Sequence, residues 1–499
     1  IRYGTVTGVQ TCALPISGLA AVVEAGRPVA IHPRGLAQFF TFGHYLRDDT
    51  SIAGIAVLPA AAWCVFQPRT GAWTRGTYWS LSEAMASAPA SRDEILEGIE
   101  TALTAAVERC TRDAVGLGLS LSGGLDARTI LGLIETRRTP LKAVCLGMPG
   151  SLDHRSSTQL AHLAGCPLHL CMLDADFLAR FGQHMQQMVA LTDGQYLSQC
   201  IVLPTLPVYR ELGIRALLRG HAGELLHLTK AYNYSLDQAA LTIQTDAELR
   251  AWLLARLKAY MLDGVARPLF RAGLDEALSS LAAESLDEDL AEVAGMGPPR
   301  ERIGPLFLLQ RVRRETTLSL LKFRSVVEPR LPYLDAELIA RVLAAPLAMR
   351  LDEEVQTWIL RRRRPDFLRV VNSNTGAPLG ASRWRRKLAS VWMRGMAKLG
   401  MPGYQPYERL GLWLRRELAP LVRQILLAPQ TLDRGVYDPQ GVRAVVRGHL
   451  EQGRNHTFLL MALMIFELGL RRLEQVASAP GTSSILPQPG NAPAAAAAT

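Results

Sequence analysis

The sequence lacks the features that place a chain in a membrane or in an oxidising compartment. No apolar stretch reaches the roughly 18 residues of a membrane-spanning helix. The most apolar C-terminal run, residues 458–470, contains Glu467 and predicts a core helix. The seven cysteines form no CxxC pair and have no histidine at the spacing of a metal site. We therefore expect reduced, mostly buried thiols, no membrane span and a cytoplasmic location.

Acidic residues are fewer than basic ones, which gives a net charge of +10 at pH 7. A positive charge suits anionic ligands, nucleic acid or an acidic membrane face, and it is equally typical of Arg-rich coding in GC-rich genomes. The densest basic cluster comprises Arg383, Arg385, Arg386 and Lys387. Because this cluster belongs to no recognisable nucleic-acid-binding module, we expect no nucleic-acid partner.

The two ends of the chain differ in character from its middle. Residues 6–16, VTGVQTCALPI, resemble the translation of a sequencing-adapter oligonucleotide and lack the ordered regions of a signal peptide. We expect residues 1–16 to be an artefact outside the fold. Residues 18–80 are short apolar runs cut by Gly and Pro, which predicts strands and loops of a truncated domain, exposed or loosely docked. The low-complexity residues 476–499 predict a disordered tail.

The middle of the chain, residues 89–475, predicts one large α/β domain. A helix begins after Ser91, which forms a capping box with Glu94. Apolar runs then alternate with helical periods, and beyond about residue 235 helical periodicity dominates. The predicted strands are residues 115–121, 141–146, 168–173 and the run IRALLRG, with helices at 126–137 and 156–164. This order is typical of an open, doubly wound, mostly parallel sheet followed by a helix-rich region.

The turn after the first of these strands, Ser122-Gly123-Gly124, is the clearest candidate for a binding site. It lies at the carboxyl edge of the predicted sheet, where ligands bind in open α/β folds, and directly before a helix. Free backbone N–H groups and the helix N-terminus favour an oxyanion there, and Asp126 suits a Mg²⁺ ion that accompanies phosphate. No Walker sequence and no GxGxxG occurs in the chain. Tight packing of the turn is the alternative interpretation.

Three later stretches follow the SGGLD loop in chain order: LRGHAGELL (218–226), VVEPRLPYLDAELI (326–339) and the helical run 437–473. Together with the loop they resemble the asparagine synthetase family, in its synthetase domain, over roughly residues 90–475. Residues 35–80, with TSIAGIAVLPAA, look like the end of the family's N-terminal, Ntn-type glutaminase domain. We therefore interpret residues 17–88 as a remnant of that domain.

The resemblance implies an adenine nucleotide alpha hydrolase-like fold of the ATP-pyrophosphatase type, and a reaction that uses ATP and Mg²⁺. A carboxylate is converted to an acyl-adenylate with release of pyrophosphate, and ammonia or an amine then displaces AMP to form an amide. By the same resemblance, Ser122, Gly123 and Gly124 hold the pyrophosphate, and Asp126 and Glu224 bind Mg²⁺. The backbone around Ser120, Cys145 and Gly220 holds the adenine and ribose.

Several residues depart from the family pattern. Ala127 stands where the family has serine, which removes a hydroxyl donor worth about 1 to 3 kcal/mol if nothing replaces it; Arg128 is a candidate replacement. By the resemblance, His221 falls near the reacting groups and is a candidate general base. Alternatively, His221 only forms hydrogen bonds with the local backbone and has no role in the reaction. The family's catalytic lysine is replaced by Gln356 or Thr357, so Arg361 becomes the candidate cation, or else part of a solvated helix face.

These departures leave the function open between two classes. One is an active ligase, either asparagine synthase-like or closer to the β-lactam synthetases and lasso-peptide cyclases. The other is a catalytically impaired binding or scaffold protein with the same fold. We also leave open a homodimer. In the run VEPRLPYLD we expect Glu328 and Arg330 to form an ion pair, structural or on the substrate side, because the prolines fix the turn.

Overall fold

The computed structural model describes residues 18–85, 91–228, 231–265 and 268–478. The stretch predicted to derive from an adapter, residues 1–16, lies outside these ranges, and so do residues 479–499 of the predicted tail. The last helix continues to Ala477, two residues into that tail.

A five-stranded parallel sheet forms the centre of the α/β region, and two small hairpins lie outside it. The nine strands of the described residues are β1 (Ala62–Gln67), β2 (Ala72–Thr77), β3 (Leu117–Ser120), β4 (Lys142–Gly147), β5 (Leu168–Met172), β6 (Ala216–Leu218), β7 (Glu328–Arg330), β8 (Val371–Asn372) and β9 (Ala377–Pro378). The order in the sheet is β5-β4-β3-β6-β7. The direction of winding therefore changes between β3 and β6, where doubly wound folds bind ligands.

The helices that cover the sheet and build the rest of the molecule are numbered in chain order. The first twelve are α1 (Leu19–Glu24), α2 (Pro33–Phe42), α3 (Leu81–Ala84), α4 (Arg92–Thr111), α5 (Leu125–Gly132), α6 (Leu152–Ala164), α7 (Ala175–Ala179), α8 (Phe181–Thr192), α9 (Thr205–Glu211), α10 (Gln238–Leu241), α11 (Asp246–Leu262) and α12 (Leu274–Glu292). The next eleven are α13 (Ile303–Phe307), α14 (Thr317–Ser319), α15 (Leu321–Arg324), α16 (Ala336–Ala344), α17 (Glu354–Arg363), α18 (Arg383–Lys398), α19 (Leu410–Arg415), α20 (Ala419–Leu426), α21 (Pro429–Leu432), α22 (Pro439–Leu450) and α23 (Thr457–Ala477).

The four predicted strands of the sheet are confirmed, each within a few residues of its expected bounds. The capping box of Ser91 and Glu94 is formed at the start of α4, and Gly165 ends α6 in the left-handed conformation (φ 68°). The fifth strand, β7, was not predicted. It has three residues and contains Pro329, which an edge strand tolerates because its free side needs no N–H donor.

The prediction of strands and loops for residues 18–80 is wrong for its first half, and so is the expectation that this part would be exposed or loosely docked. Residues 33–42 form the helix α2, with Pro33 in its first turn and Gly43 (φ 80°) at its C-terminal cap. Eight of its ten residues are buried, and it packs against α11, α12 and α23. The second half is the β1–β2 hairpin, whose Trp63 and Trp73 are exposed as expected.

The C-terminal helices form a core around α23, as the run 458–470 predicted. Glu467 is fully buried within it, and two arginines neutralise its carboxylate. Arg434 donates from Nε to Oε2 at 2.8 Å and from Nη2 to Oε1 at 2.9 Å, and Arg471 donates to Oε1 at 2.8 Å. Because both arginines are fixed to one buried carboxylate, the loop before α22 is tied to α23. In the described ranges, no helix has the length and apolarity needed to cross a bilayer.

Candidate nucleotide-binding site

A cavity of about 450 Å³ opens at the carboxyl ends of β3, β4 and β6. Its sheet side is lined by residues that the sequence singled out: Ser120, Ser122, Gly124, Asp126, Ala127 and Gly220. The cavity is also lined by polar residues from the helical region, among them Arg311, Glu315, Ser319 and Lys322, and by Ser373 and Asn374 of the turn between β8 and β9. The cavity therefore lies at the point where the winding of the sheet changes direction, as the loop's position predicted.

The SGG loop has the geometry of an oxyanion-binding turn, and a carboxylate of the chain itself lies in it. Gly123 donates its N–H to Asp153 Oδ1 at 3.0 Å, and Ser373 Oγ donates to the same oxygen at 2.9 Å. Gly124 donates its N–H to Ser122 Oγ at 3.2 Å. Burial raises the pKa of Asp153, and the two hydrogen bonds oppose that shift. The loop can thus hold an anion, but this carboxylate competes for one of its donors.

Arg128 does not replace the hydroxyl that is missing at Ala127. Its guanidinium is fully buried and points away from the cavity, where it donates only to backbone carbonyls. Nη2 donates to Gly123 O and Val371 O, both at 2.8 Å, and Nη1 donates to Val370 O at 2.8 Å. Burial lowers the pKa of Arg128 to about 10. Arg128 therefore fixes the SGG loop against the segment that leads into β8.

Asp126 lies at the centre of a polar network on the floor of the cavity. Its Oδ1 accepts hydrogen bonds from His227 Nε2 at 2.7 Å and from Gln356 Nε2 at 2.9 Å. Tyr333 OH donates to the backbone carbonyl of Asp126 at 3.0 Å and accepts from Gln356 Nε2 at 3.1 Å. The run EPRLPYLD thus supports the site through its tyrosine.

Glycines at two positions permit the close approach of the β6 loop to Asp126. A Cβ atom at Gly220 would lie 2.7 Å from Asp126 Cβ, and one at Gly223 would lie 2.4 Å from Asp126 Oδ1. Real Cβ atoms do not occupy such positions, so side chains at either residue would push the loop away. These glycines bring Glu224 to the same cavity as Asp126.

Glu224 and Asp126 form the acidic pair that the resemblance assigns to Mg²⁺. Burial and the charge of Asp126 raise the pKa of Glu224 to about 7. Burial also disfavours the charged form of His227, but the adjacent Asp126 and Glu224 outweigh it, so the pKa of His227 lies above its ordinary value. Carboxylate oxygens are the ligands that Mg²⁺ prefers, and a divalent cation would relieve the repulsion between them. The pair therefore fits the ion, with phosphate oxygens and water needed to complete its shell, since the described residues contain no group of three or more metal-ligating side chains.

His221 is held in a chain of hydrogen bonds at the side of the cavity. Arg219 Nε donates to His221 Nδ1 at 3.1 Å, which leaves the proton of a neutral ring on Nε2. Nε2 lies 3.1 Å from Ser319 Oγ, which in turn donates to Thr316 O at 2.6 Å. Burial, Arg219 and Lys322 hold the pKa of His221 well below its ordinary value. Both ring nitrogens are engaged, so this arrangement gives the predicted general base no free lone pair toward the cavity.

A cationic end of the cavity was not predicted from the sequence. Lys322, on α15, is buried and lines the cavity, with its ammonium 5.0 Å from the centre of the Tyr196 ring. Burial and Arg219 lower the pKa of Lys322 to about 7. Arg311 also lines this end and pairs with Glu315 at 3.4 Å. No local pattern could reveal these residues, because they come from the helical region far along the chain.

The remaining predicted site residues divide between the cavity and its surroundings. Ser120 lines the cavity, whereas Cys145 points its buried thiol elsewhere and its neighbours Val144 and Leu146 face the cavity. Burial raises the pKa of Cys145 to about 12. Arg361 is exposed on α17 and does not line the cavity. The cavity is thus lined by Ser120 but not by Cys145 or Arg361.

The position at which the resemblance leads us to expect a lysine is occupied by neutral side chains. Gln356 reaches Asp126 with its amide, as described above, and Thr357 Oγ1 is buried without a hydrogen-bond partner. The helix α17 therefore brings Gln356 beside Asp126 of the SGGLD loop, but it supplies no cation there.

A family model matches the part of the chain that contains the sheet. Residues 98–368 match the family model described as asparagine synthase. This range contains all five strands of the sheet, together with Asp126, Glu224 and Gln356, whereas Ser373 and Asn374 lie beyond it. No individual curated protein matches the chain.

Proposed function

Because the chain belongs to the asparagine synthase family, we propose that it uses ATP to join a small carboxylic acid to ammonia or an amine. The observation that carries this proposal is the pairing of Asp126 and Glu224 in one cavity, beside the SGG loop and the start of α5. Such a pair next to an oxyanion-binding turn suits an ATP–Mg²⁺ complex. In the proposed reaction the carboxylate attacks the α-phosphorus, pyrophosphate leaves, and the amine then displaces AMP.

The chain's own residues would divide the work along the cavity. Asp126 and Glu224 would hold Mg²⁺, which supplies positive charge for the departing pyrophosphate. Ser122 and Gly124 would contact the phosphates, and backbone at Ser120 and Gly220 would line the adenosine.

Beyond the phosphates, Lys322 of the cationic end and the neighbouring Arg219, which both line the cavity, would orient the carboxylate substrate. Lys322 is buried, so its protonated form would attract a carboxylate strongly. His221 would act mainly by holding Arg219 in place, and a role as general base would require Ser319 to release its Nε2. We propose no role for Arg361 in the reaction.

We propose that the protein is cytoplasmic and that its synthetase region spans residues 89–475. Its proposed substrates are small molecules, and no nucleic-acid partner is proposed. A homodimer remains compatible with it. We propose that residues 17–88 belong to a glutaminase-like domain.

Two observations favour a second candidate, a binding protein with impaired catalysis. The amide of Gln356 stands where a cation is expected, and Asp153 occupies a donor of the pyrophosphate loop. Release of pyrophosphate, measured with ATP and Mg²⁺ across a panel of carboxylic acids, distinguishes the two. ATP binding without pyrophosphate release for any acid and amine would support the binding protein.

Asp126→Asn tests the proposed ligase directly. We expect this variant to lose pyrophosphate release by at least 100-fold, because the amide cannot neutralise Mg²⁺, while the melting temperature stays close to that of the parent. Asp433→Asn, at an exposed carboxylate that does not line the cavity, is the matched control and should behave as the parent. Unchanged turnover in Asp126→Asn would remove the loop from the mechanism.

A further inference from the structure

The segment around α18 combines an unusual charge with an unusual surface. Residues 367–407 contain no aspartate or glutamate, and seven arginines and lysines. The helix itself, Arg383–Lys398, has six of these cations and two tryptophans. A helix whose charged residues are all basic and whose surface also carries large apolar side chains is typical of an interfacial membrane helix.

One face of α18 is fixed to the protein. Ser390 Oγ donates to Thr375 O at 3.0 Å, and Arg386 pairs with Asp352 at 3.4 Å. Gly376 lies so close that an added Cβ would stand 3.3 Å from Met393 Cβ. The helix is therefore docked on the β8–β9 hairpin, and its opposite face points outward.

The outward face is apolar and exposed to solvent. Trp384, Leu388, Val391, Trp392 and Leu399 have exposed fractions of 64%, 60%, 60%, 63% and 76%. At 100° per residue, these positions fall within a sector about 100° wide, so they form one continuous strip. Five large apolar side chains exposed side by side are rare on a protein surface unless a partner covers them.

The exposed cations lie along both borders of this apolar strip. By the same helical spacing, Arg385 lies on one side of the strip, and Lys387, Arg394 and Lys398 lie on the other. All four are exposed. An apolar strip bordered by cations matches the boundary between acyl chains and anionic headgroups, where tryptophan is also favoured.

We propose that α18 docks this protein on an anionic lipid bilayer, with the apolar strip in the headgroup region and the bordering cations on lipid phosphates. A two-fold contact with a second copy would bring two cationic borders together, which opposes self-association. Binding to nucleic acid would engage the cations but leave the apolar strip in water. The bilayer is the partner that satisfies both features at once.

The docked helix and the ligand cavity share the β8–β9 hairpin. The turn of this hairpin carries Ser373 and Asn374, which line the cavity, and Tyr407, after the end of α18, lines it as well. Docking would therefore place the lipid surface near the elements that border the cavity.

Vesicle binding of the full chain tests the proposal. Co-sedimentation is measured with vesicles of neutral phosphatidylcholine and with vesicles that also contain about 30% phosphatidylglycerol, at about 0.1 M and about 0.5 M salt. We expect binding to the anionic vesicles at low salt, and at least tenfold weaker binding to neutral vesicles or at high salt. Equal or no binding to both vesicle types would overturn the proposal.

Two variants assign the binding to α18. Lys387→Gln with Arg394→Gln and Lys398→Gln should weaken the partition by about 100-fold, since each cation near an anionic surface contributes ~1 kcal/mol and ~1.4 kcal/mol is tenfold. The triple variant Arg27→Gln, Arg443→Gln and Arg447→Gln removes the same charge from exposed positions elsewhere and should bind nearly as the parent. Equal losses in the two triple variants would show a non-specific effect of net charge and overturn the proposal.

The apolar strip is tested separately, with a conservative substitution that should leave the fold intact. Brominated lipids should quench tryptophan fluorescence in the parent, and Trp384→Phe should lose part of that quenching while it still sediments with the vesicles. Quenching that is unchanged in Trp384→Phe, or a dimer that dissociates in Trp384→Ser with Leu388→Ser, would show that lipid does not cover this strip.

Discussion

Asp153 fixes the SGG loop, because its carboxylate accepts the N–H of Gly123, a donor that the proposed phosphate would otherwise use. Asp126 was predicted as a site residue from its place at the carboxyl edge of the sheet, and Glu224 from the family resemblance. Asp153, which lies at the same edge after β4, was not predicted. Ser373, which shares the carboxylate with Gly123, is 220 residues from Asp153, and only the tertiary fold brings the two together.

Replacing Asp153 with asparagine tests whether its negative charge weakens the binding of phosphate at the SGG loop. The Asn amide oxygen can keep both hydrogen bonds, from Gly123 and Ser373, without the buried charge. We therefore expect Asp153→Asn to bind pyrophosphate severalfold more tightly at pH 7, measured by calorimetric titration. Weaker binding in a folded Asp153→Asn protein would show that the negative charge of Asp153 does not oppose the binding of pyrophosphate.

The same variant should change the dependence of stability on pH. Burial raises the pKa of Asp153 in the folded protein above its unfolded value, so the folded state holds the proton more tightly. The protonated Asp153 therefore contributes its full stability to the fold below the unfolded pKa, near 4. This contribution is lost as the pH rises through the pKa of Asp153 in the folded protein. The melting temperature of Asp153→Asn relative to the parent should therefore be higher at pH 7 than at pH 4, whereas Asp433→Asn should show no such trend.

At the scale of elements, the sequence predicted what local patterns determine. Short apolar runs between turn residues predicted β3, β4, β5 and β6, and the capping box predicted the start of α4. The helix α2 was missed because its Gly and Pro were interpreted as loop signals, although Pro33 and Gly43 are ten residues apart and delimit a helix. The strand β7 was missed because three residues with a central proline carry no periodicity, and its pairing with β6 is decided by tertiary packing.

Arg330 connects β7 to the end of α4. The predicted ion pair with Glu328 is confirmed at 3.1 Å, and Nη1 also donates to Cys110 O at 2.9 Å and to Arg112 O at 3.1 Å. Because Arg330 does not line the cavity, its role is structural. We expect Arg330→Ala to lower the free energy of unfolding by about 2 kcal/mol, measured by urea denaturation, with no change in the affinity for ATP.

Glu328→Gln is the matched control for that ion pair. The carboxylate of Glu328 is about half exposed, so its loss should cost less than about 1 kcal/mol. A loss of ATP affinity in Arg330→Ala with normal stability would instead place Arg330 on the substrate side.

At the scale of the whole molecule, the two ends of the described chain share one core. Phe40 of α2 stacks edge to face on Phe466 of α23, with ring centroids 5.4 Å apart, and on Phe270 at 5.1 Å. Buried Arg314 donates to Asp49 O at 2.7 Å and so ties the segment after α2 to the helical region. The sequence could not predict this packing, since the packing joins residues some 400 positions apart. The same packing decides whether residues 17–88 behave as a separate domain.

The extent of this shared core predicts how the protein unfolds. If α2 is part of the core of the synthetase region, Phe40→Ala should lower the free energy of unfolding by about 3 to 5 kcal/mol and shift one cooperative transition in calorimetry to lower temperature. Phe66→Ala, at an exposed ring of the β1–β2 hairpin that contacts Trp73, should change stability by no more than about 1 kcal/mol. Two transitions, of which Phe40→Ala shifts only the smaller, would mean that the N-terminal segment folds as a unit of its own. That result would support a domain boundary near residue 88. A single transition that Phe40→Ala moves as a whole means instead that α2 completes the hydrophobic core on which the nucleotide-binding cavity depends.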